Sequence, residues 1–169
     1  MVVLVFGASH TGKTLLAQKL LEKYSYPYLS LDHLKMGFIR SGYTDLGVCD
    51  DDALTGLIWP VAREMIKTAA ENSQNLIIEG CYIPFDWKKD FDAEYLENIK
   101  EFCLVMTEDY IRNHFGDIQK HANAVEKRLC DSVDMNELIA ENRKNRLLCE
   151  KYGTNCVLIE KEYKVDIEL

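Results

Sequence analysis

Gly7-Ala8-Ser9-His10-Thr11-Gly12-Lys13-Thr14 has the spacing G-x-x-x-x-G-K-[ST]. That pattern suits a loop wrapped around a polyphosphate. Main-chain N–H groups supply many donors without crowding, and the helix that follows adds partial positive charge at its N-terminus. Gly7 and Gly12 permit torsions that a β-carbon forbids. Lys13 places a point charge on the phosphate oxygens, and Thr14 offers a hydroxyl to Mg²⁺. The whole run, Ala8, Ser9, His10 and Thr11 included, is expected to hold a nucleoside triphosphate with Mg²⁺. His10 takes part through its backbone N–H rather than its ring.

Two acids and a lysine could serve the other side of a transfer reaction. Asp32 lies just past a strand pattern, in Leu29-Ser30-Leu31-Asp32-His33-Leu34-Lys35. Carboxyl ends of parallel strands face the ligand crevice, so Asp32 is placed to take the proton of an acceptor hydroxyl and Lys35 to hold an anion. The other reading of Asp32 is a helix cap. Glu79 closes Leu76-Ile77-Ile78-Glu79 ahead of Gly80. An apolar strand ending in an acid is the Walker B pattern, which orients the metal's water. Glutamate is longer than the usual aspartate and leaves open whether it serves the metal or the acceptor.

Arg112, Arg128, Arg143 and Arg146 crowd the stretch before the last strand pattern. Phosphoryl transfer spreads charge over equatorial oxygens, and mobile arginines stabilise that charge and exclude water. Arg112 and Arg128 are candidates to meet the nucleotide, and Arg143 and Arg146 to act in catalysis. The last two are three residues apart and share a helix face. A solvated helix with ordinary ion pairs, such as Arg146 with Glu150, is the alternative.

Strand patterns fall at Val2–Phe6, Tyr26–Leu31, Asn75–Glu79, Phe102–Met106 and Cys156–Ile159, with helical stretches between them. This alternation predicts a parallel sheet covered on both faces. A helix is expected over Thr14–Lys23, a second over about Asp50–Asn72 that Pro60 kinks or breaks near Trp59, and a short third over Lys88–Lys100. Thr107 to Gly153 is helical with no strand signal. Its last helix opens at Asp134 with Glu137 three residues on, and closes at Gly153.

At 169 residues the chain is expected to form one α/β domain. Hydrophobic residues make up 47% and charged residues 28%, as in a globular protein. A formal net charge of -8 repels nucleic-acid phosphates, so a nucleic-acid partner is not expected. The 6 cysteines include no C-x-x-C pair, and several sit in apolar runs. They read as buried thiols of a reducing compartment. With an apolar start too short for a signal peptide and no membrane-length run, a cytoplasmic location is expected. The residues leave the oligomeric state open.

Taken together, these segments resemble the P-loop kinases of the nucleoside-kinase-like group: adenylate, shikimate and gluconate kinases, and relatives such as polynucleotide kinase, chloramphenicol phosphotransferase and the zeta toxins. Asp32-His33-Leu34-Lys35 is similar to the D-x-[IL]-[RK] segment of the polynucleotide-kinase and zeta-toxin branch, with lysine where arginine is common. In that branch the acid binds or deprotonates the acceptor hydroxyl, and the basic residue contacts acceptor or phosphate. Ile77-Ile78-Glu79-Gly80 is similar to the group's strand-acid-Gly element, and the arginine-bearing helices over about 107–153 to its mobile lid. The resemblance implies a three-layer α/β/α fold with a parallel five-stranded sheet of order 2-3-1-4-5. It also implies ATP with Mg²⁺, and a γ-phosphoryl transfer to the hydroxyl or phosphate of a small-molecule acceptor.

Two alternatives stand beside that expectation. One keeps the chemistry with a nucleic-acid or sugar-nucleotide acceptor. The other is a nucleotide-dependent switch with no acceptor. Against the switch, no D-x-x-G element occurs, and Tyr163-Lys164-Val165-Asp166 lacks the Asn or Thr of a guanine reader.

Overall fold

The computed structural model describes residues 1–121 and 134–169. Five parallel strands form one sheet of order β2-β3-β1-β4-β5, as expected. Strand β1 (Val2–Gly7) lies at its centre, between β3 (Leu76–Glu79) and β4 (Ile99–Met106). The edges are β2 (Tyr28–Ser30) and β5 (Cys156–Ile159). Every residue of β1 is buried, which is why its run is continuously apolar rather than alternating.

Successive β1 side chains feed opposite layers. Val2, Leu4 and Phe6 pack with Leu54, Ile58, Ala62 and Ile66 of α3 (Asp51–Glu71) and with Leu31 of α2 (Leu31–Arg40). Val3 and Val5 pack with Leu16, Ala17 and Leu20 of α1 (Lys13–Tyr24). The same layer takes Ile111 of α5 (Glu108–His121) and Leu138 and Ile139 of α6 (Met135–Tyr152). A short helix, α4 (Ala93–Leu96), and a 3₁₀ turn at Trp87–Asp90 precede β4.

Three boundaries differ from the sequence reading. The helix expected over Lys88–Lys100 shrinks to the 3₁₀ turn and α4, because Ile99 and Lys100 enter β4 opposite Val2 and Val3. Pairing with the buried central strand outweighs the helical character of that polar stretch. The second strand ends at Ser30, and Leu31 opens α2. Helix α3 runs through Pro60 without a break. Pro60 itself is exposed, while Ile58, Trp59 and Ala62 beside it are buried. Their packing holds the helix against the ~3 kcal/mol that an interior proline costs.

Helix α6 begins and ends where its signals stand. The Asp134 side chain accepts from the N–H groups of Asn136 and Glu137, and Gly153 closes the helix in the left-handed region at φ 63°. Asn142, 1% exposed, ties α6 to the end of β4. Its side-chain oxygen accepts from the Met106 N–H at 2.8 Å, and its amide donates to the Leu138 carbonyl at 2.8 Å. Asn142→Ala leaves the buried Met106 N–H without its acceptor. The expected loss of stability is about 1–3 kcal/mol in a denaturant titration.

Among the described residues no disulfide joins cysteines, and no group of three or more His, Cys, Asp or Glu is arranged to hold a metal ion. Hydrogen bonding to Cys103, with burial, pushes the Cys149 thiol up to about 12, so it stays protonated and inert. No described helix is long and apolar enough to cross a membrane.

Candidate active site

The carboxyl ends of β1, β2 and β3 open on one side of the sheet, and the glycine loop, Asp32, Lys35 and Glu79 lie at or just past them. The glycine loop leaves β1 at Gly7 and enters α1 at Lys13. Gly7 has φ +138°, and a β-carbon on it would stand 2.3 Å from the Leu104 carbonyl oxygen of the neighbouring strand. Gly12 has φ +80°, and a β-carbon there would stand 1.8 Å from the Tyr163 hydroxyl. Both torsions favour glycine, and at Gly7 the fixed backbone of Leu104 demands it for space as well.

The loop is braced from inside. The Thr11 hydroxyl and the Lys13 ammonium both donate to the Ala8 carbonyl at 2.8 Å. Thr11 and Lys13 are 0% and 4% exposed. From behind, the Tyr163 hydroxyl lies 3.1 Å from the carbonyls of both Thr11 and Gly12. Occupying carbonyls from inside and behind leaves the loop's N–H groups for an anion. Helix α1 has no side-chain cap and no acid in its first turn. Each of the other five α-helices among the described residues does carry an acid there. The exception is the helix whose dipole meets the proposed phosphate.

Thr14 and Glu79 meet directly. The Thr14 hydroxyl donates to Glu79 Oε1 at 3.2 Å, and Glu79 is 1% exposed at the end of β3, in register with Val5. A hydroxyl and a carboxylate are hard oxygen donors, and this pair at the foot of a phosphate loop fits Mg²⁺.

Asp32 stands in the first turn of α2, whose N-cap is Ser30. It is therefore not the cap residue. Its carboxylate pairs with Lys35 at 2.8 Å. Lys35 also donates to the Tyr82 hydroxyl at 2.8 Å, and that hydroxyl donates to Asp51 at 3.0 Å. Burial, with Cys81, Asp32 and Asp51 nearby, drives the Tyr82 phenol far above its ordinary range. It keeps its proton for Asp51 and its lone pair for Lys35.

Sequence reasoning missed Tyr82, Asp51 and Glu141 as site residues. Tyr82 had a usable signal, two residues after the strand-ending Glu79-Gly80. Asp51 announces itself only as a helix-opening acid. Glu141, inside the polar stretch of α6, lies near the Ser9 backbone and within the field of Lys13. Desolvation against the loop raises its carboxyl above the usual range, and Lys13 opposes that rise. A carboxylate on the loop competes with incoming phosphate. Glu141→Gln is expected to tighten binding of a non-hydrolysable ATP analogue about threefold to tenfold in a calorimetric titration, a gain of up to roughly 1.4 kcal/mol.

Three of the lid-like arginines are paired with glutamates. Arg112 donates twice to Glu108 Oε1, at 2.9 and 2.8 Å, and Arg143 bonds the other oxygen of the same carboxylate. Together they hold the Glu108 carboxyl below its usual range. These groups are exposed, so the contact adds little stability. Arg146 reaches Glu150 at 3.8 Å. Arg128 lies outside the described residues.

No family model matches the chain, and no curated protein matches it in sequence. Solved structures do match in shape. A candidate kinase from Chloroflexus aurantiacus is similar at TM-score 0.54 and 20% identity, over 94% of this chain and 86% of that one. Shikimate kinase from Bacteroides thetaiotaomicron is similar at TM-score 0.52 and 15% identity, over 95% and 86%. A sugar kinase from a Janibacter species is similar at TM-score 0.53 and 13% identity, over 94% and 84%. At such identities the likeness establishes the fold: the chain has the α/β fold of P-loop kinases.

Proposed function

We propose that this chain is an ATP- and Mg²⁺-dependent phosphotransferase that moves the γ-phosphoryl group to a hydroxyl of a small molecule. The supporting observation is the glycine loop opening an acid-free helix, with Thr14 on Glu79 beside it and Asp32 at the neighbouring strand end. The Asp32-x-x-Lys35 spacing favours the polynucleotide-kinase and zeta-toxin branch of the fold. A net charge of -8 favours a small acceptor over nucleic acid. On this reading the chain works as one kinase domain in the cytoplasm, with α5 and α6 belonging to its lid.

Loop N–H groups and Lys13 would bind and orient the triphosphate, Lys13 leaving the Ala8 carbonyl to do so. Thr14 and Glu79 would hold Mg²⁺, which when bound neutralises charge on the phosphate oxygens. Asp32 would accept the acceptor's hydroxyl proton as its oxygen bonds the γ-phosphorus. The bond from that phosphorus to the bridging oxygen breaks, and its electron pair leaves with ADP. Lys35 holds Asp32 in place at 2.8 Å. Arg112 and Arg143 would reach the phosphates only after leaving Glu108. Catalysis then rests mainly on positioning and charge stabilisation.

Asp32→Asn tests the acceptor half. Transfer, followed as ADP release, is expected to fall about a hundredfold while affinity for the ATP analogue holds. Full turnover in that variant would remove Asp32 from the reaction.

A further inference from the structure

We propose that Tyr163 is a positioning residue for the triphosphate, its hydroxyl aiming the Gly12 and Lys13 main-chain N–H groups at the phosphates from behind the loop. The proposal rests on the reading of that loop as a triphosphate site and adds to it a residue from a distant part of the chain.

The Tyr163 hydroxyl stands 3.1 Å from the Thr11 carbonyl and 3.1 Å from the Gly12 carbonyl. Among the described residues no peptide bond is cis. In a planar trans peptide the C=O and the N–H point in opposite directions. The Thr11 carbonyl therefore sets the direction of the Gly12 N–H, and the Gly12 carbonyl that of the Lys13 N–H. With both carbonyls turned to the phenol, both N–H groups turn away from it. The Gly12 carbonyl also accepts from the Leu16 N–H at 2.9 Å, so α1 fixes it a second time. Thr11 lies outside that helix, and its carbonyl is held by the phenol. Donors aimed before the anion arrives cost no reorganisation when it binds.

The phenol is itself held in place. Segment 160–169 runs along α1 from its N-cap to its last residue. Tyr163 meets Gly12 at one end. At the other, Glu168 accepts from Lys23 and from the Tyr24 hydroxyl, both at 2.6 Å. Between them Val165 and Ile167, 3% and 8% exposed, pack in the layer of Leu16, Ala17 and Leu20. That packing needs no hydroxyl at position 163, since phenylalanine fills the same space. Gly12 is what admits the oxygen, because a β-carbon there would stand 1.8 Å from it. Burial, with Tyr110 nearby, pushes the phenol up to about 12, so it keeps the proton it donates.

Tyr163→Phe removes that one oxygen. Binding of a non-hydrolysable ATP analogue with Mg²⁺ is measured by calorimetry for the unaltered chain, for this variant and for Tyr24→Phe. The last loses a phenol bonded to the same segment at the far end of α1. Tripolyphosphate with Mg²⁺ is titrated beside the analogue. Tyr163→Phe is expected to weaken both ligands about tenfold, with the melting temperature lowered by no more than about 4 °C. Tyr24→Phe is expected to leave both affinities unchanged. In NMR spectra without ligand, the Gly12 and Lys13 amide resonances are expected to shift in Tyr163→Phe and to stay in place in Tyr24→Phe. Absence of analogue binding to the unaltered chain would remove the kinase reading and this proposal with it. With that binding intact, unchanged affinity in Tyr163→Phe would overturn the proposal and leave the kinase reading standing. So would a loss confined to the analogue, which assigns the phenol to the nucleoside. An equal loss in Tyr24→Phe would overturn it as a general loosening of the segment. A Tyr163→Phe chain that does not fold would overturn it too, since the oxygen would then serve the fold rather than the loop.

Discussion

Lys13→Ala is expected to lower phosphoryl transfer by a factor on the order of 10³ while leaving the sheet and its helices folded. Lys13 is the buried cation at the mouth of α1, 4% exposed, and among the described residues its side chain donates to the Ala8 carbonyl at 2.8 Å. That carbonyl keeps a second donor, the Thr11 hydroxyl at 2.8 Å, so the loop retains an internal brace when the ammonium is gone. The charge on the transferring phosphoryl oxygens has no such substitute. Transfer measured by ADP release, beside a thermal melt of the same sample, separates the two effects. A variant that melts normally and turns over normally would show that Lys13 does not serve the reaction.

Gly7→Ala is expected to act on the fold rather than on the chemistry. The added methyl would stand 2.3 Å from the Leu104 oxygen, and that oxygen belongs to the backbone of β4, in register with Gly7. A flexible side chain could swing away, but a strand in the centre of the sheet cannot. Relief requires β1 and β4 to part or the loop to change its torsions, and φ +138° adds strain of its own. The cost is about 3 kcal/mol or more, enough to remove a large share of a domain's stability. Urea titration of the variant beside the unaltered chain reads it directly. A loss within about 0.5 kcal/mol would mean that this contact is not present in solution.

Gly12→Ala makes an informative contrast. Its β-carbon would meet the Tyr163 hydroxyl, the far end of a side chain that can move. The damage there is to the brace behind the phosphate loop.

What was legible in the sequence follows from range. The glycine loop is contiguous, so spacing alone names Gly7 to Thr14, and the apolar runs flanking it name the strand and helix that hold it. Glu79 and Asp32 were legible because parallel strands deliver their last residues to one edge of the sheet. The network around Asp32 was not. Tyr82 bridges Lys35 and Asp51 across separations of 47 and 31 residues. No local pattern encodes that meeting. Glu141 comes near Ser9 because Asn142, its neighbour, anchors α6 to the end of β4. Asn142 gave no signal of its own, being one polar residue in a polar run. The same run misled in another way. Arg112 and Arg143 are sequence-distant but share Glu108, which spacing could not show, whereas the pairing of Arg146 with Glu150 could be read from i,i+4 spacing. At Ile99 and Lys100 a helical-looking stretch became strand because Val2 and Val3 stood beside it.

The account depends on one physical event, the seating of a triphosphate on the main-chain amides between Gly7 and Thr14. Isothermal titration of the folded chain with a non-hydrolysable ATP analogue and Mg²⁺ reads that event without reference to any acceptor. One saturable site, strongly weakened by Lys13→Ala, is the predicted result. Heats indistinguishable from dilution, for the adenine and guanine analogues alike, would contradict it.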